Sequence, residues 1–315
     1  MTSNPSCSLW FFAARTDTWY MMNTIPHLVK TSNFPFQERV IAIDTAPLSG
    51  EKVHRPGIGT MEQLKECTRR LIDMDVIDRV VEMNYDPDYV KSIYRKHFGC
   101  AVRPTHNYKG YPIFGSIFKI EACESDYMVH YDSDMMLYQD PDYSWIEEGI
   151  RLMEKHEEMM FFRSFGGPPT PEGKMLQNVP ADFHPDGFYI SKTLGSRAYL
   201  VKKQRYDRLL PLSPLWHNNY KNRFLNSAPK NLKTWLNIFT GKGKLDSWET
   251  IVSRGLQDSP YYRGISANPK GWTLHPIDRS PIFRQSWPEI IKKVEAGIYP
   301  PQQAGYYDLV PSAWY

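Results

Sequence analysis

The stretch Asp126-Tyr127-Met128-Val129-His130-Tyr131-Asp132-Ser133-Asp134-Met135-Met136 decides how this chain is read. From Tyr127 onward it is apolar, aromatic and rich in strand formers, the pattern of a buried strand, and it stops abruptly in two carboxylates. In open α/β sheets ligands bind outside the carboxyl ends of the strands. A pair of acids there is a grip for a hard divalent ion such as Mg²⁺ or Mn²⁺, which takes carboxylate oxygens together with substrate phosphate. An Asp-x-Asp by itself is also what a solvated turn or cap looks like, so the flanking sequence has to agree.

Upstream, Ser8 to Arg15 reads as a first buried strand, with its crossover helix running through His27-Leu28-Val29. Arg39 to Asp44 reads as a second strand that ends in an acid. Thr60 to Asp75 reads as a helix, opened by Thr60 and Gln63 in a capping-box arrangement. A third strand is expected at Asp78 to Met83, a helix at Asp86 to His97, and another at Tyr111 to Ala122 feeding the strand of Asp132. Such alternation is the signature of a parallel sheet with right-handed crossovers. Downstream come an amphipathic helix at Tyr143 to His156, a strand at Met159 to Arg163, and two segments, Gly187 to Ile190 and Ala198 to Val201, that read as a hairpin.

Composition narrows the class. The 315 residues are 41% hydrophobic and 23% charged, ordinary for a folded globular chain. A net charge of +3, with no RNP, zinc-finger or basic-zipper pattern, argues against nucleic acid as a partner. The four cysteines, Cys7, Cys67, Cys100 and Cys123, form no C-x-x-C pair and suggest neither a zinc site nor a disulfide framework. With no signal-like N-terminus and no apolar run near the roughly 20 residues of a membrane span, a cytoplasmic location is expected.

Three further features line up with Asp132 and Asp134. Asp44, at the end of the second strand, would share their sheet edge and could accept hydrogen bonds from a base or ribose, although a loop cap would look the same. Asp246 and Glu249 precede and open a predicted helix, a position favoured by the dipole alone but also suited to a general base. His275, late in Gly271-Trp272-Thr273-Leu274-His275-Pro276, could complete a metal site as neutral imidazole. Lys270, Arg279 or Arg284 could add charge to a diphosphate, whereas His130, inside the strand, reads as a satisfied core histidine.

A first strand ending at Arg15, a second ending at Asp44, the Asp132-Ser133-Asp134 motif, then Trp248-Glu249 and a final His275, together resemble a GT-A-fold nucleotide-sugar glycosyltransferase of the family 2-like kind. The resemblance covers the first half and the Asp246 to His275 region, but not the acceptor-side insert from Pro168 to Lys244. It implies an α/β fold with a GT-A-type, Rossmann-like, mostly parallel sheet flanked by helices and an acceptor-side insert. One catalytic domain over 1–315 would comprise a nucleotide-binding half (1–140), an acceptor-binding half (141–290) and a C-terminal tail (291–315). The resemblance further implies a hexosyltransferase using Mn²⁺ or Mg²⁺ and a UDP- or GDP-sugar. Arg15, Asp44, Asp132 and Lys270 would face the nucleotide, and Asp132, Asp134 and His275 the metal. Glu249 or Asp246 would be the base of an inverting transfer to a carbohydrate or other hydroxyl acceptor. Family 2-like enzymes often carry adjacent Glu-Asp at the base position, where this chain has Glu249-Thr250.

Rival readings are a nucleotidyltransferase, demoted because the Ala13-Ala14-Arg15-Thr16-Asp17 turn has no glycine, and a non-catalytic carbohydrate-binding protein on the same core. The basic, aromatic stretch Trp216 to Lys244 reads as an insert over the site. Its Lys230 to Lys244 part is either an amphipathic helix packed on the core or an interfacial element touching a membrane. The aromatic tail from Tyr306 to Tyr315 would dock on the domain or form a dimer contact.

Overall fold

A computed structural model of the chain describes residues 5–180, 182–217, 229–241 and 243–315, and of residues 230 and 231 only the backbone. Its first strand, β1 (Cys7–Ala13), is buried at all seven positions. Alternate side chains of β1 serve two cores, as the two-residue period of a strand requires. Trp10 and Phe12 pack with Met128, Tyr199, Phe114 and Trp248, while Leu9 and Phe11 pack with Met21, Leu64, Tyr131 and Trp145. Burial of each such side chain stabilises the fold by about 1.5–3 kcal/mol.

The strands flanking β1 are β2 (Glu38–Ile43), β3 (Arg79–Glu82) and β4 (Tyr127–Asp132), in the order β3-β2-β1-β4, all parallel. Between them run helices α1 (Met21–Ser32), α2 (Met61–Asp73), α3 (Pro87–Phe98) and α4 (Phe114–Ala122). The helix α2 starts where its cap directs: Thr60 accepts from Gln63 N–H, and Gln63 accepts from Thr60 N–H. After β4 come β5 (Met136–Gln139), α5 (Trp145–Lys155), β6 (Met159–Arg163), β7 (Phe165–Gly166), β8 (Asp182–His184), β9 (Phe188–Ser191) and β10 (Ala198–Lys202). Then follow β11 (Trp216–His217), β12 (Lys244–Leu245), β13 (Tyr262–Ser266) and β14 (Gly271–Leu274).

The large sheet has nine strands, ordered β3-β2-β1-β4-β10-β6-β13-β9-β8. It is Rossmann-like in its first half but mixed as a whole, because β10, β9 and β8 run antiparallel to their neighbours. The expectation of a mostly parallel sheet therefore holds only for β1 to β4 and the β6–β13 pair. Nor do β9 and β10 form a hairpin. The fully buried β6 and the largely buried β13 take the central places between them, so residues 192–197 cross from one side of that pair to the other. Three strands of the segment from Pro168 to Lys244, which sequence read as an insert, thus belong to the main sheet.

A second sheet, β5-β14-β7, packs Met136, Phe165, Trp272 and Leu274 against the helix Pro281–Glu295 and the tail. The tail docks on its own chain: Tyr307 and Trp314 are buried. The helix Lys230–Thr240 packs Ile238 on the main core but leaves Leu232, Trp235 and Phe239 exposed. The remainder of that predicted insert, residues 218–228 and 242, lies outside the described residues.

Candidate active site

The parallel register places Phe12 beside Asp132, and Ala13 beside Ile43, so the carboxyl ends of β1, β2 and β4 share one edge. At that edge the chain leaves the large sheet through Ser133 and Asp134 and enters β5 of the small one. The antiparallel pairing of Leu274 with Met136 then brings His275 alongside the start of β5, next to Asp134. Two motifs about 140 residues apart meet through strand register, and sequence alone carries no trace of it.

They line a cavity of about 150 Å³. Asp17, Asp132, Asp134 and His275 are in its wall, together with five cations, Lys52, Arg55, Lys119, Arg197 and Arg279. Asp134 is buried and ion-paired with Arg279, whose guanidinium also donates to the carbonyls of Pro276 and Asp278. His275 Nδ1 lies 2.8 Å from the Asp308 carboxylate, and its backbone bonds Tyr307 and Leu309. An imidazole oriented by a carboxylate through one nitrogen is the usual support of a metal-bound histidine. The docked tail therefore fixes the orientation of His275.

Asp132 is held from below by His130, whose Nε2 is 3.1 Å away and whose Nδ1 is 2.9 Å from the Trp10 carbonyl. Lys119 Nζ lies 3.0 Å from both ring nitrogens. Burial pushes the Lys119 ammonium down to about 7 against the pull of Asp132. Burial and the neighbouring Lys119 push His130 down to about 4. For Asp132, burial works upward, but the His130 hydrogen bond and the charges of His130, Lys119 and Arg197 outweigh it and leave the carboxyl below its ordinary value. His130 is a satisfied buried histidine, as its place in the strand suggests, and it also props the site.

Two other cavities share wall residues with it. Arg197 lines all three, and Glu249 lines the second and third. Glu249 stands in the first turn of the helix Trp248–Gln257, whose N-cap Ser247 accepts from Thr250 N–H. Its Oε2 accepts from both the N–H and the hydroxyl of Ser196, at 2.9 and 3.0 Å. Asp246 lines only the second cavity, which also holds Asp132, and accepts from Ser247 N–H.

Arg15, Asp44 and Lys270 do not line these cavities. Asp44 is buried and accepts from Tyr85 and Ala46 N–H, with His106 Nε2 3.0 Å from its other oxygen. Burial raises its pKa, but the bonds from His106 and Tyr85 and the charges of His106 and Lys52 bring it below the ordinary value. Lys270 is exposed at the opposite end of β14 from His275, about 15 Å of strand away. Arg284 stacks on Trp19, its guanidinium carbon 4.6 Å from the ring centroid.

Sequence reasoning passed over Asp17, Lys52, Arg55, Lys119 and Arg197. Lys119 had a readable signal, a single charge within Ile117-Phe118-Lys119-Ile120, all buried. Asp17 binds Ala14 N–H, Thr16, Tyr20 and Ser133, so the turn after β1 spends its amide on a carboxylate of its own chain.

Two carboxylates and an imidazole are, in kind, a donor set that Mn²⁺ accepts. Their ligand atoms do not all come within 4.8 Å of one another. Among the described residues the group that does is His156, His184 and Asp186. It lies at the end of α5 and the β8–β9 turn, and Lys155 and His156 already answer its carboxylate.

Comparison with known protein families found no family model that matches the chain, and comparison with curated proteins found no match either. Among the described residues no helix is long and apolar enough to cross a membrane.

Proposed function

We propose that this chain is a GT-A-type glycosyltransferase that moves a sugar from a UDP- or GDP-sugar to a hydroxyl acceptor. One observation carries the reading: Asp132, Asp134 and His275 line a cavity with five cations and three carboxylates, and it shares Asp132, Ser196 and Arg197 with a second, larger cavity that Glu249 lines. An excess of cations suits a diphosphate, which Lys52, Arg55, Arg197 and Arg279 would hold by charge-assisted hydrogen bonds. Asp132, Asp134 and His275 would hold Mn²⁺ or Mg²⁺, which when bound supplies Lewis-acid stabilisation of the departing nucleoside diphosphate.

Glu249 is the preferred base over Asp246 because it borders both the second and third cavities. Ser196 fixes its Oε2 and leaves Oε1 for the acceptor. The acceptor hydroxyl gives its proton to Glu249 as its oxygen bonds to the anomeric carbon. The bond from that carbon to the diphosphate breaks, and the nucleotide takes the electron pair. A base on the acceptor side of a carbon with oxocarbenium character gives inversion.

A second reading, a nucleotide- or carbohydrate-binding protein without catalysis, is favoured by the Asp134–Arg279 pair, in which a guanidinium already answers one proposed metal ligand. The nucleotidyltransferase reading loses ground, because Asp17 occupies the Ala14 amide in the turn where a triphosphate loop would bind.

Calorimetric titration of UDP and GDP, with Mn²⁺ and then with chelator, tests the proposal in the wild type and in Asp134→Ala. Metal-dependent binding that the variant loses supports the transferase. Binding that ignores both metal and Asp134 supports the second reading, and no binding of either nucleotide refutes the uridine and guanosine forms of the proposal.

A further inference from the structure

The third cavity, about 870 Å³, is lined by Arg163, Arg197, Arg263, Lys192, Asp182 and Glu249 among others. Its two deepest cations are unusual. Arg163, the last residue of β6, and Arg263 on β13 are both more than nine-tenths buried. Register places them on one face of the sheet: Arg263 pairs with Phe161, two residues before Arg163. Neither has a carboxylate oxygen within salt-bridge distance among the described residues, whereas Arg279, Arg39 and Arg79 all do. Arg163 Nε and Arg263 Nε and Nη1 have no hydrogen-bond partner among the described residues. Arg263 Nη2 makes a long contact with Ser191 Oγ, 3.5 Å. Arg163 lies over the ring of Tyr307, 4.7 Å from its centroid.

Buried guanidinium donors without partners are costly, and the cost is removed when an acceptor binds. The surrounding backbone keeps the space open. At Gly195, whose φ is not of the left-handed kind, a Cβ would stand 2.7 Å from Arg263 Nη1 and 3.9 Å from Arg163 Nη1. Glu249 shares this cavity but is turned to Ser196.

We infer that Arg163 and Arg263, with Arg197 at the rim, form an oxyanion subsite that takes the carboxylate or phosphate of an acidic acceptor. The planar fork of arginine matches both groups in a bidentate manner. This rests on the transferase reading only in calling the ligand an acceptor. The subsite would select acidic sugars, such as uronic acids or sugar phosphates, over neutral ones, and would hold the acceptor beside Glu249.

The test is calorimetric titration and thermal melting of the full chain with D-glucuronate, glucose 6-phosphate and uncharged glucose, in the wild type, Arg263→Gln, Gly195→Ala and Asp134→Ala. Glucuronate or glucose 6-phosphate should bind at least about tenfold more tightly than glucose and raise the melting temperature. Which of the two binds names the anion. Arg263→Gln should erase the preference by removing donors, and Gly195→Ala by filling the space. Asp134→Ala should retain it. Equal binding of charged and neutral sugars by the wild type overturns the inference, whether or not the variants fold. So does a preference that survives Arg263→Gln, which would place the anion in the donor-side cavity. Anion preference without any nucleotide binding would refute the transferase reading and leave the subsite standing. Nucleotide binding without anion preference would do the reverse.

Discussion

The cavity at the ends of β1 and β4 and the one between β6, β13 and residues 191–195 are both rich in cations, but they treat charge in opposite ways. In the first, the buried Asp134 has Arg279, Asp132 has His130, and His275 has Asp308. In the second, Arg163 and Arg263 keep donors that nothing in the described chain answers. A site whose carboxylates and imidazole are already paired is preorganised, and those groups must exchange partners to bind. A site with open donors is completed by its ligand.

Breaking the comparison begins with Glu249, which lines the cavity of Arg163 and Arg263 but not the one at the ends of β1 and β4. Glu249→Gln keeps an acceptor for Ser196 but removes the base of the proposed transfer, and turnover should fall by about 10²–10⁴ in a sugar-transfer assay, with nucleotide affinity little changed. Next in size is Arg279→Met, which strands the buried Asp134 carboxylate. It should cost about 3 kcal/mol in denaturant unfolding, part of it recovered on adding Mn²⁺. Arg263→Met, on the unanswered side, should leave unfolding stability equal or higher. An equal loss in both variants would erase the distinction between the cavities. Asp308→Asn should weaken Mn²⁺-dependent nucleotide binding by about 10–100-fold, read by titration.

The smallest effect concerns the frame. Glu295 lies 3.0 Å from His27 Nδ1 and 2.7 Å from Lys30 Nζ, and His27 Nε2 accepts from Leu137 N–H in β5. The His27 hydrogen bond, then the Lys30 bond and both charges, lower the Glu295 carboxyl to about 2 against modest burial. A depressed folded-state pKa stabilises above the unfolded value, near 4.3, and that contribution is lost as pH falls toward 2. Glu295→Gln should therefore cost about 1 kcal/mol at pH 7, and melting curves of variant and wild type should converge between about pH 4 and pH 2.

What was legible in the sequence was local. The alternation of strands and helices from β1 to β4, the Thr60–Gln63 capping box and the abrupt end of β4 in acids are written within a few residues of each other, and the structure carries them. Partner choice between strands was not legible. Nothing in Gly187 to Val201 says that β6 and β13 will come between its two strands, because pairing depends on burial of distant segments. The candidate site divides the same way. Asp132 and Asp134 declare themselves by position, whereas Arg163 reads only as the end of a strand, and Arg197 as a loop cation. The significance of Arg163 lies in a donor left without a partner among the described residues, and that of Arg197 in the walls of three cavities, both properties of the packed chain.

One consequence follows from the short connection at Ser133 and Asp134. Asp132 belongs to the nine-stranded sheet and His275 follows a strand of the three-stranded one, and among the described residues the small sheet is built from segments that also touch the tail. A ligand that grips both residues would act as a rivet between two plates. Its binding free energy would add to the resistance of the small sheet and tail against local opening. Slowed amide exchange in β5, β14 and residues 305–309 would record that tightening, while β2 and β3, on the far side of the large sheet, would exchange as before.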